Sequence, residues 1–335
     1  MKSRLLLFFT LAISFLPAVR ADSAQPVALT VLADRVRIEV GGRLFSEYIF
    51  SGASRPYLYP ILMADGTPLT RDFPMKETPG EDRDHPWHRS LWFAHSVVNG
   101  VDFWNEGTGD IGRSPKAKGR IVHDALLETA GGETGLIRAR HRWVAPDGTL
   151  ICTDETTIAI RGTANTRTLD YEVTLHALPD KPLLIGDNKD GTMAMRLAQW
   201  MTLPHKYQKQ DEPGAGHILN SKGDRDDAAW GKRADWCDYF APHEGKIYGV
   251  AIFDDPRNLR HPTWWMARDY GLFGANPFGQ HDYENLPDKP HAGDYTVLAG
   301  GSLILRYRFY FHLGDPAAAK VAEHYTGFVK NSSGH

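Results

Sequence analysis

The chain has 335 residues and a formal net charge of −3, so its charge gives no reason to expect nucleic acid or an anionic membrane surface as a partner. Hydrophobic residues make up 42% of the sequence, which is enough for a packed core. Cys152 and Cys237 are the only cysteines, which excludes a disulfide framework, and a bond between the two is the less favoured expectation.

The first residues have the pattern of an export signal. Lys2 and Arg4 precede an apolar run from Leu5 to Leu16, and Val19-Arg20-Ala21 offers a cleavage site with small residues. The run is shorter than the roughly 20 residues that span a bilayer, and no later segment is longer and equally apolar. We therefore predict a signal peptide over residues 1–21, a periplasmic or extracellular location without stable membrane insertion, and a single domain over residues 22–335.

Alternating apolar and polar residues dominate the mature chain. Residues 169–177 and 303–313 each place apolar side chains at every second position, which is the period of a half-buried strand. Gly-rich and Asp-Gly turns separate further short apolar runs. One helix is predicted near the end, where Asp315 can cap a segment from Ala317 to Val329. The pattern predicts an all-β fold, a large antiparallel β-sandwich with a short C-terminal helix.

The segment from residue 85 to residue 104 has the densest chemistry. It contains His85, His88, His95 and Arg89 together with three tryptophans, of which Trp87 and Trp104 flank the histidines. Imidazoles beside flat apolar rings suit a sugar cleft, which must hydrogen-bond hydroxyls and cover C–H faces. His-x-x-His also allows an open zinc or copper site, but no carboxylate or thiolate ligand has a recognised spacing. His95 shares the strand face of apolar neighbours, so a core histidine is an equal alternative.

Three further segments combine charged and aromatic residues, and each also has a plain structural interpretation. Residues 186–191 place Asp187 and Lys189 in what is otherwise an ordinary hairpin turn. Residues 230–239 place Asp238 near Trp236, which a strand would bury in the core. Residues 261–279 repeat the density of the first segment, and there Arg268 and Asp269 can form a structural ion pair.

At these segments the chain resembles a bacterial family of secreted proteins labelled "methane oxygenase PmoA", otherwise a domain of unknown function. The resemblance rests on His85-Pro86-x-His88-Arg89-Ser90-Leu91-Trp92-Phe93-Ala94-His95 with Asn99-Gly100-Val101-Asp102-Phe103-Trp104, on Gly186-Asp187-x-Lys189-x-Gly191, on Trp230-Gly231-Lys232-Arg233 with Trp236-x-Asp238-Tyr239, and on Arg268-Asp269-Tyr270-Gly271 with Ala275-Asn276-Pro277-Phe278-Gly279. One departure is Trp87, because the family commonly has a second histidine there.

The resemblance implies a fold similar to the large β-supersandwich of galactose mutarotases, and a glycan substrate. The label is not to be taken literally, since the methane oxygenase subunit of that name is an integral membrane protein. The implied fold does not fix the reaction.

We therefore expect an exported carbohydrate-active enzyme, a glycoside hydrolase or a lyase, in which histidine and carboxylate act as acid and base. The alternatives are a carbohydrate-binding protein without activity and a copper- or zinc-dependent enzyme; no cofactor and no metal ligand is predicted. The catalytic candidates are His85, His88, His95, Asp187, Lys189 and Asp238, and the substrate-binding candidates are Trp87, Arg89, Trp104, Trp236, His261, Trp264, Arg268 and Asn276. This hypothesis requires residues 85–104, 186–191, 236–239 and 261–280 to meet in one cleft.

Overall fold

The structure, a computed structural model, describes residues 23–107, 117–204 and 214–332. The predicted signal peptide, residues 1–21, lies outside these ranges.

Two eight-stranded antiparallel sheets form the body of the protein. In spatial order, the first sheet contains β1 (Val27–Val31), β2 (Arg35–Val40), β3 (Arg43–Ile49), β4 (Tyr57–Leu58), β5 (Leu91–His95), β11 (Gly191–Arg196), β16 (Leu272–Asn276) and β15 (Trp264–Ala267). The second contains β12 (His217–Asn220), β13 (Trp236–His243), β14 (Lys246–Asp254), β18 (Ser302–Leu313), β9 (Arg167–Ala177), β8 (Leu150–Gly162), β7 (Gly135–Val144) and β6 (Arg120–Ala130). A small sheet pairs β10 (Leu183–Ile185) with β17 (Tyr295–Val297), and short 3₁₀ turns lie at Gln199–Met201 and Asp226–Ala229.

The two strands with the strongest alternation are central neighbours in the second sheet. In β9 and β18, the apolar residues of each alternating set face the core, as predicted. The residues between them face outward, where Arg306 donates to Glu172 at 2.6 Å and Arg308 to Asp170 at 2.5 Å. These cross-strand ion pairs hold the register on the polar face while the apolar face packs.

The hydrophobic core fills the space between the two sheets. Aromatic pairs cross this space, with ring centroids 5.6 to 6.2 Å apart: Phe45 with Phe311, Tyr239 with Phe273, and Phe93 with Trp143. The prediction of a large antiparallel β-sandwich is therefore confirmed.

Four adjacent strands of the first sheet, β5, β11, β16 and β15, are buried at every residue. Burial on both sides means that one face packs on the second sheet and loops cover the other. Phe93 points to the core, so its neighbour Trp92 points to the outer face. The register pairs Trp92 with Ala194 and Arg196 with Leu272, which places these side chains on the same outer face.

The C-terminal helix α2 spans Val321–Ser332. The predicted start at Ala317 is wrong, because Asp315 instead caps a separate turn and Lys320 has a positive φ of 53° that interrupts the helical path. Phe328 and Val321 pack on the outer face of the second sheet. A second short helix, α1, spans Gln280–Tyr283. Among the described residues, no helix has the length and apolarity that a membrane span requires.

Both cysteines are buried and free. Cys152 lies in β8 and Cys237 in β13, at the inner face of the second sheet.

A polar network ties the two sheets together inside the core. The hydroxyl of Tyr48 in the first sheet lies 2.7 Å from Nε2 of His141 in the second, and Nδ1 of His141 lies 2.8 Å from the carboxylate of Asp154. Trp143 and Thr156 also donate to that carboxylate, at 2.7 and 2.9 Å. Although burial alone raises the pKa of Asp154, His141 and the other donors hold it below its usual value.

We expect Asp154→Asn to lower the free energy of unfolding by roughly 1–3 kcal/mol, because an amide cannot accept all three hydrogen bonds. The loss is measured by urea denaturation at pH 7. Because the pKa of Asp154 is lowered by folding, its contribution is complete above the unfolded pKa of about 4 and disappears as the pH falls through the folded value.

Asp180→Asn is the matched control, since it removes the same charge from an exposed turn and should leave stability unchanged. Equal stability of the two variants would contradict a stabilising role for the network.

Candidate functional site

A cavity of about 270 Å³ lies on the outer face of the first sheet. Its lining comes from loops that are far apart in sequence and from two strands: His85, Trp87, His88, Trp104, Asn105, Lys189, Asp190, Trp230, Met266, Arg268, Tyr270 and Leu272. The outward positions of β15 and β16 supply Met266 and Leu272 as its apolar floor.

A buried arginine fastens two of the covering loops to each other. Arg55 is almost fully buried and donates to the backbone carbonyl of Trp87 at 3.1 Å and to that of Trp104 at 2.6 Å. Burial lowers the pKa of Arg55 to about 10, which still leaves it charged at neutral pH. The guanidinium therefore fixes the two tryptophan-bearing walls relative to each other.

The Asp84 carboxylate is the electrostatic centre beside the cavity. It accepts hydrogen bonds from Arg71 and, at 2.8 Å, from Arg196, both of which are buried. It also lies 2.5 Å from Nδ1 of His85. Burial alone raises the pKa of Asp84, but the hydrogen bond from His85 and the two guanidinium charges hold it well below its usual range. Asp84 is therefore ionised and accepts all three bonds.

Because an ionised carboxylate only accepts, Nδ1 of His85 is the donor in this pair. In a neutral imidazole the other nitrogen, Nε2, then carries a lone pair. Nothing in the described part of the chain hydrogen-bonds to this Nε2, and His85 lines the cavity. The arrangement is that of a base whose tautomer and orientation are set by a carboxylate.

His85 belongs to a column of parallel rings. Its centroid lies 5.3 Å from Tyr270 on one side and 4.7 Å from His88 on the other, with interplanar angles of 4° and 7°. His88 in turn stacks on Trp92 at 5.3 Å. This offset stacking holds His85 by its faces while Asp84 holds its edge.

His88 is buried and uncharged. Burial, together with the charge of Arg196, lowers its pKa well below the usual value. Nδ1 of His88 accepts a hydrogen bond from Arg196 at 3.3 Å, so the proton of the neutral ring is on Nε2. His88 therefore presents a weak donor to its surroundings and is not a base at neutral pH.

The backbone from His85 to Ser90 is strained at both of these residues. His85 has φ of 43° and Ser90 has φ of 58°, a left-handed conformation that costs a non-glycine residue about 1–2 kcal/mol. Strain of this kind concentrates where a side chain must be aimed at a site. At His85 it accompanies the orientation of the ring into the cavity.

The cavity lining also contains cationic groups and further aromatic rings. The Arg268 guanidinium lies 4.6 Å from the centre of the Trp230 ring, in a cation–π contact. Lys189 donates to Asp190 at 3.2 Å. Burial raises the pKa of Tyr270, so its hydroxyl keeps its proton and remains a donor.

The structure brings six of the predicted site residues together in this cavity, and eight lie elsewhere. The six are His85, Trp87, His88, Trp104, Lys189 and Arg268. They come from three of the four sequence segments that we expected to converge.

His95 and Asn276 lie next to the site without lining it. His95 faces the core side of β5, where its Nε2 lies 2.7 Å from the carbonyl of Gly186, and burial lowers its pKa to about 4. The position of His95 therefore corresponds to the alternative in which it is a core histidine. The Asn276 amide donates to the carbonyls of Asn188 and Lys189 at 2.9 and 3.1 Å, so it positions the loop that carries Lys189.

The two predicted partner carboxylates are not in the cavity. Asp187 accepts from the backbone N–H groups of His281 and Gly293 at 2.9 and 2.5 Å, and thereby organises a loop. Asp238 is fully buried on the outer face of the second sheet, 3.2 Å from His312. Trp236 shares that face and packs under the C-terminal helix.

The remaining three candidates make structural contacts. Arg89 forms a two-pronged ion pair with Glu106, with a closest distance of 2.8 Å. His261 is 2.7 Å from the buried carboxylate of Asp254. Trp264 is buried on the outer face of the first sheet, where the Arg233 guanidinium covers its ring at 4.6 Å.

Sequence reasoning missed the groups that orient the His85 ring. Asp84 directly precedes His85, and an Asp-His pair before a proline is a signal that was available in the sequence. Arg71 and Arg196 have no such signal, because they lie 13 and 112 residues away from Asp84 and meet it only after folding.

The donors of this cavity do not suit a metal ion. His85 and His88 stack face to face, and their Nδ1 atoms already bond to Asp84 and Arg196. The nearby guanidinium groups repel a cation. Within the described ranges, no group of three or more His, Cys, Asp or Glu residues could hold a metal.

Comparison with known families assigns the chain to one of them. Residues 35–326 match the family of unknown function DUF6807. The chain belongs to this family. The matches give no support to the label "methane oxygenase PmoA". No curated protein matches the sequence.

Several solved structures of carbohydrate-related proteins resemble the chain loosely. An alpha-galactosidase from Lactobacillus brevis is 9% identical with a TM-score of 0.37, and the match covers 89% of this chain and 40% of that one. A galactose mutarotase related enzyme from Lactobacillus acidophilus is 9% identical with a TM-score of 0.32, covering 85% and 97%. A putative aldose 1-epimerase from Escherichia coli is 12% identical with a TM-score of 0.32, covering 86% and 98%. At these scores the likenesses carry no argument about the reaction.

We expect stability to fall as the pH drops below about 6.5, the pKa of an unfolded histidine. Folding lowers the pKa values of His88 and His95, so below this pH only the unfolded chain binds their protons. The loss is about 1.4 kcal/mol per pH unit for each histidine, measured by urea denaturation between pH 7.5 and 5.

His88→Gln should reduce this slope, whereas His291→Gln, at an exposed position, should not. A free energy of unfolding that does not change over this range would show that the two imidazoles are not held neutral.

Proposed function

We propose that the protein is an exported carbohydrate-active enzyme that transfers a proton by means of His85, with elimination by a lyase as the favoured reaction. The observation that carries this proposal is the pair of Asp84 and His85, joined at 2.5 Å beside a cavity lined with aromatic rings. A binding protein has no need for a histidine whose tautomer is fixed by an ionised carboxylate.

The cavity supplies the other parts that a sugar requires. Trp87 and Trp230 offer flat apolar surfaces for C–H faces, while Lys189 offers an ammonium group that can bind hydroxyls. The volume of about 270 Å³ is of the order of a single sugar ring with some water.

Tyr270 is the proposed proton donor. Its ring is stacked on His85, its hydroxyl keeps its proton, and it lines the cavity. Base and acid are thus adjacent, which suits a reaction that removes a proton from carbon and delivers one to a leaving oxygen.

The carboxylates argue for elimination over hydrolysis. Glycosidases ordinarily use two carboxyl groups that flank the scissile bond, one of them with a raised pKa. Here Asp84 is bound by Arg71, Arg196 and His85 and has a lowered pKa, and Asp190 is paired with Lys189. Neither has the environment of an acid catalyst.

The test is turnover of a panel of neutral and acidic glycans, followed by ultraviolet absorbance of unsaturated sugars and by assay of new reducing ends. We expect His85→Gln to lower the turnover of any substrate by at least about a hundredfold, the usual contribution of a positioned base. Tyr270→Phe should lower it by a similar factor.

His95→Gln is the matched control, because this histidine lies on the core side of β5, away from the cavity, and its hydrogen bond within the described part of the chain is to Gly186. Reducing ends without unsaturated products would favour the glycoside hydrolase alternative. Saturable binding with no product after long incubation would favour the binding protein and overturn the proposal.

A further inference from the structure

Arg268 supplies a positive charge to the wall of the cavity. Its guanidinium contacts the face of Trp230, and none of the described carboxylates lies within ion-pair distance of it. By contrast, Arg55, Arg71 and Arg196, which lie beside the cavity, each have a carboxylate partner. Lys189 is likewise paired, with Asp190. Arg268 is therefore the position where the cavity offers an unused positive charge.

The geometry keeps this charge in place. The backbone N–H of Arg268 donates to the carbonyl of Leu272 at 2.8 Å, and the carbonyl of Arg268 accepts from Gly271 at 3.0 Å. This tight turn also carries Tyr270, the proposed proton donor. A guanidinium that contacts an indole face through its π system keeps its N–H groups available for a bidentate partner.

We propose that the substrate is an acidic sugar, a uronate or uronate-containing oligosaccharide, whose carboxylate binds to Arg268. This inference rests on the proposed function and deepens it. Pairing with a carboxylate satisfies the half-buried guanidinium more fully than neutral hydroxyls do, because both partners are charged and planar.

The pairing also explains why a histidine base suffices. The hydrogen on the carbon next to a carboxylate is weakly acidic, and neutralising that carboxylate stabilises the negative charge that develops when the proton leaves. Nε2 of His85 takes the proton from C5, the C–H electron pair forms the C4=C5 double bond, and the C4–O4 bond breaks. The departing oxygen receives its proton from Tyr270. The step consumes no other reactant, and solvent then restores both proton states.

A neighbouring cleft of about 310 Å³ gives room for a second sugar unit. It is lined by Asp227, Asp269 and Ala267 and shares Trp230 and Arg268 with the main cavity. Arg268 thus lies at the junction of the two spaces. A test ligand should for this reason be an oligosaccharide and not a single sugar.

The experiment compares uronate-containing oligosaccharides with the same oligosaccharides after their carboxyl groups are reduced to alcohols. Binding is measured by calorimetry in a His85→Asn background, which separates affinity from turnover. We expect the best acidic ligand to bind at least about tenfold more tightly than its reduced counterpart. Arg268→Gln should abolish this preference, and Arg268→Lys should retain part of it.

Each possible outcome of these binding and turnover measurements supports or contradicts a specific claim. Equal binding of acidic and reduced ligands, an acidic preference that persists in Arg268→Gln, or no binding by any member of the panel would overturn the acidic-sugar inference. Turnover of a neutral glycan that depends on His85 would overturn it too, and would leave the proposed function standing. Acidic ligands that bind through Arg268 but are never converted by the wild type would uphold the inference and overturn the proposed function. Thermal denaturation of Arg268→Gln and Arg268→Lys shows whether both variants are folded.

Discussion

The site depends on how one carboxylate is shared. Asp84 accepts hydrogen bonds from two buried arginines and from His85. The charge and orientation of each of these four groups depend on the other three. Without Asp84, Arg71 and Arg196 would leave two adjacent buried charges unpaired, a strongly destabilising arrangement. Without the arginines, the carboxylate would be less firmly ionised and His85 would lose the acceptor that fixes its tautomer. Stability and proposed catalysis therefore rest on the same ion cluster.

The first sheet makes this cluster possible because both of its faces are in use. The inner face of its central strands packs on the second sheet and fixes the strands in register. The outer face carries Trp92 and Arg196 on neighbouring strands, and the covering loops lie on them. Trp92 ends the ring column that supports His85, and Arg196 binds both Asp84 and His88. Along these strands, side chains that pack in the core therefore alternate with side chains that face the covering loops and the cavity.

Charge is distributed unevenly around the cavity. Beside His85, the ionised carboxylate of Asp84 neutralises the charges of Arg71 and Arg196, and His88 is uncharged. The Arg268 guanidinium contacts the Trp230 ring, and the described residues give it no ion-pair partner. The proposed base, His85, and the proposed anion-binding group, Arg268, line the same cavity. A substrate with a carboxylate next to an acidic C–H would lie between them.

The sequence by itself determined the all-β class, the strongest strands and the importance of the segment that begins at His85. It could do so because a strand has a period of two residues and because dense histidine and tryptophan in a turn is a local signal. It left His95 with two equal interpretations, and the structure places this residue on the core side of β5, with the parity of Phe93. Only the tertiary structure decided whether the odd-numbered or the even-numbered residues of a strand face the core, and what covers the other face. Trp236 and Asp238 share a face that lies under the C-terminal helix, far from the cavity, whereas Trp230 and Tyr270 line it. It also decided that Arg71 and Arg196 meet Asp84, because contacts across such separations follow from how strands pair and not from any spacing along the chain.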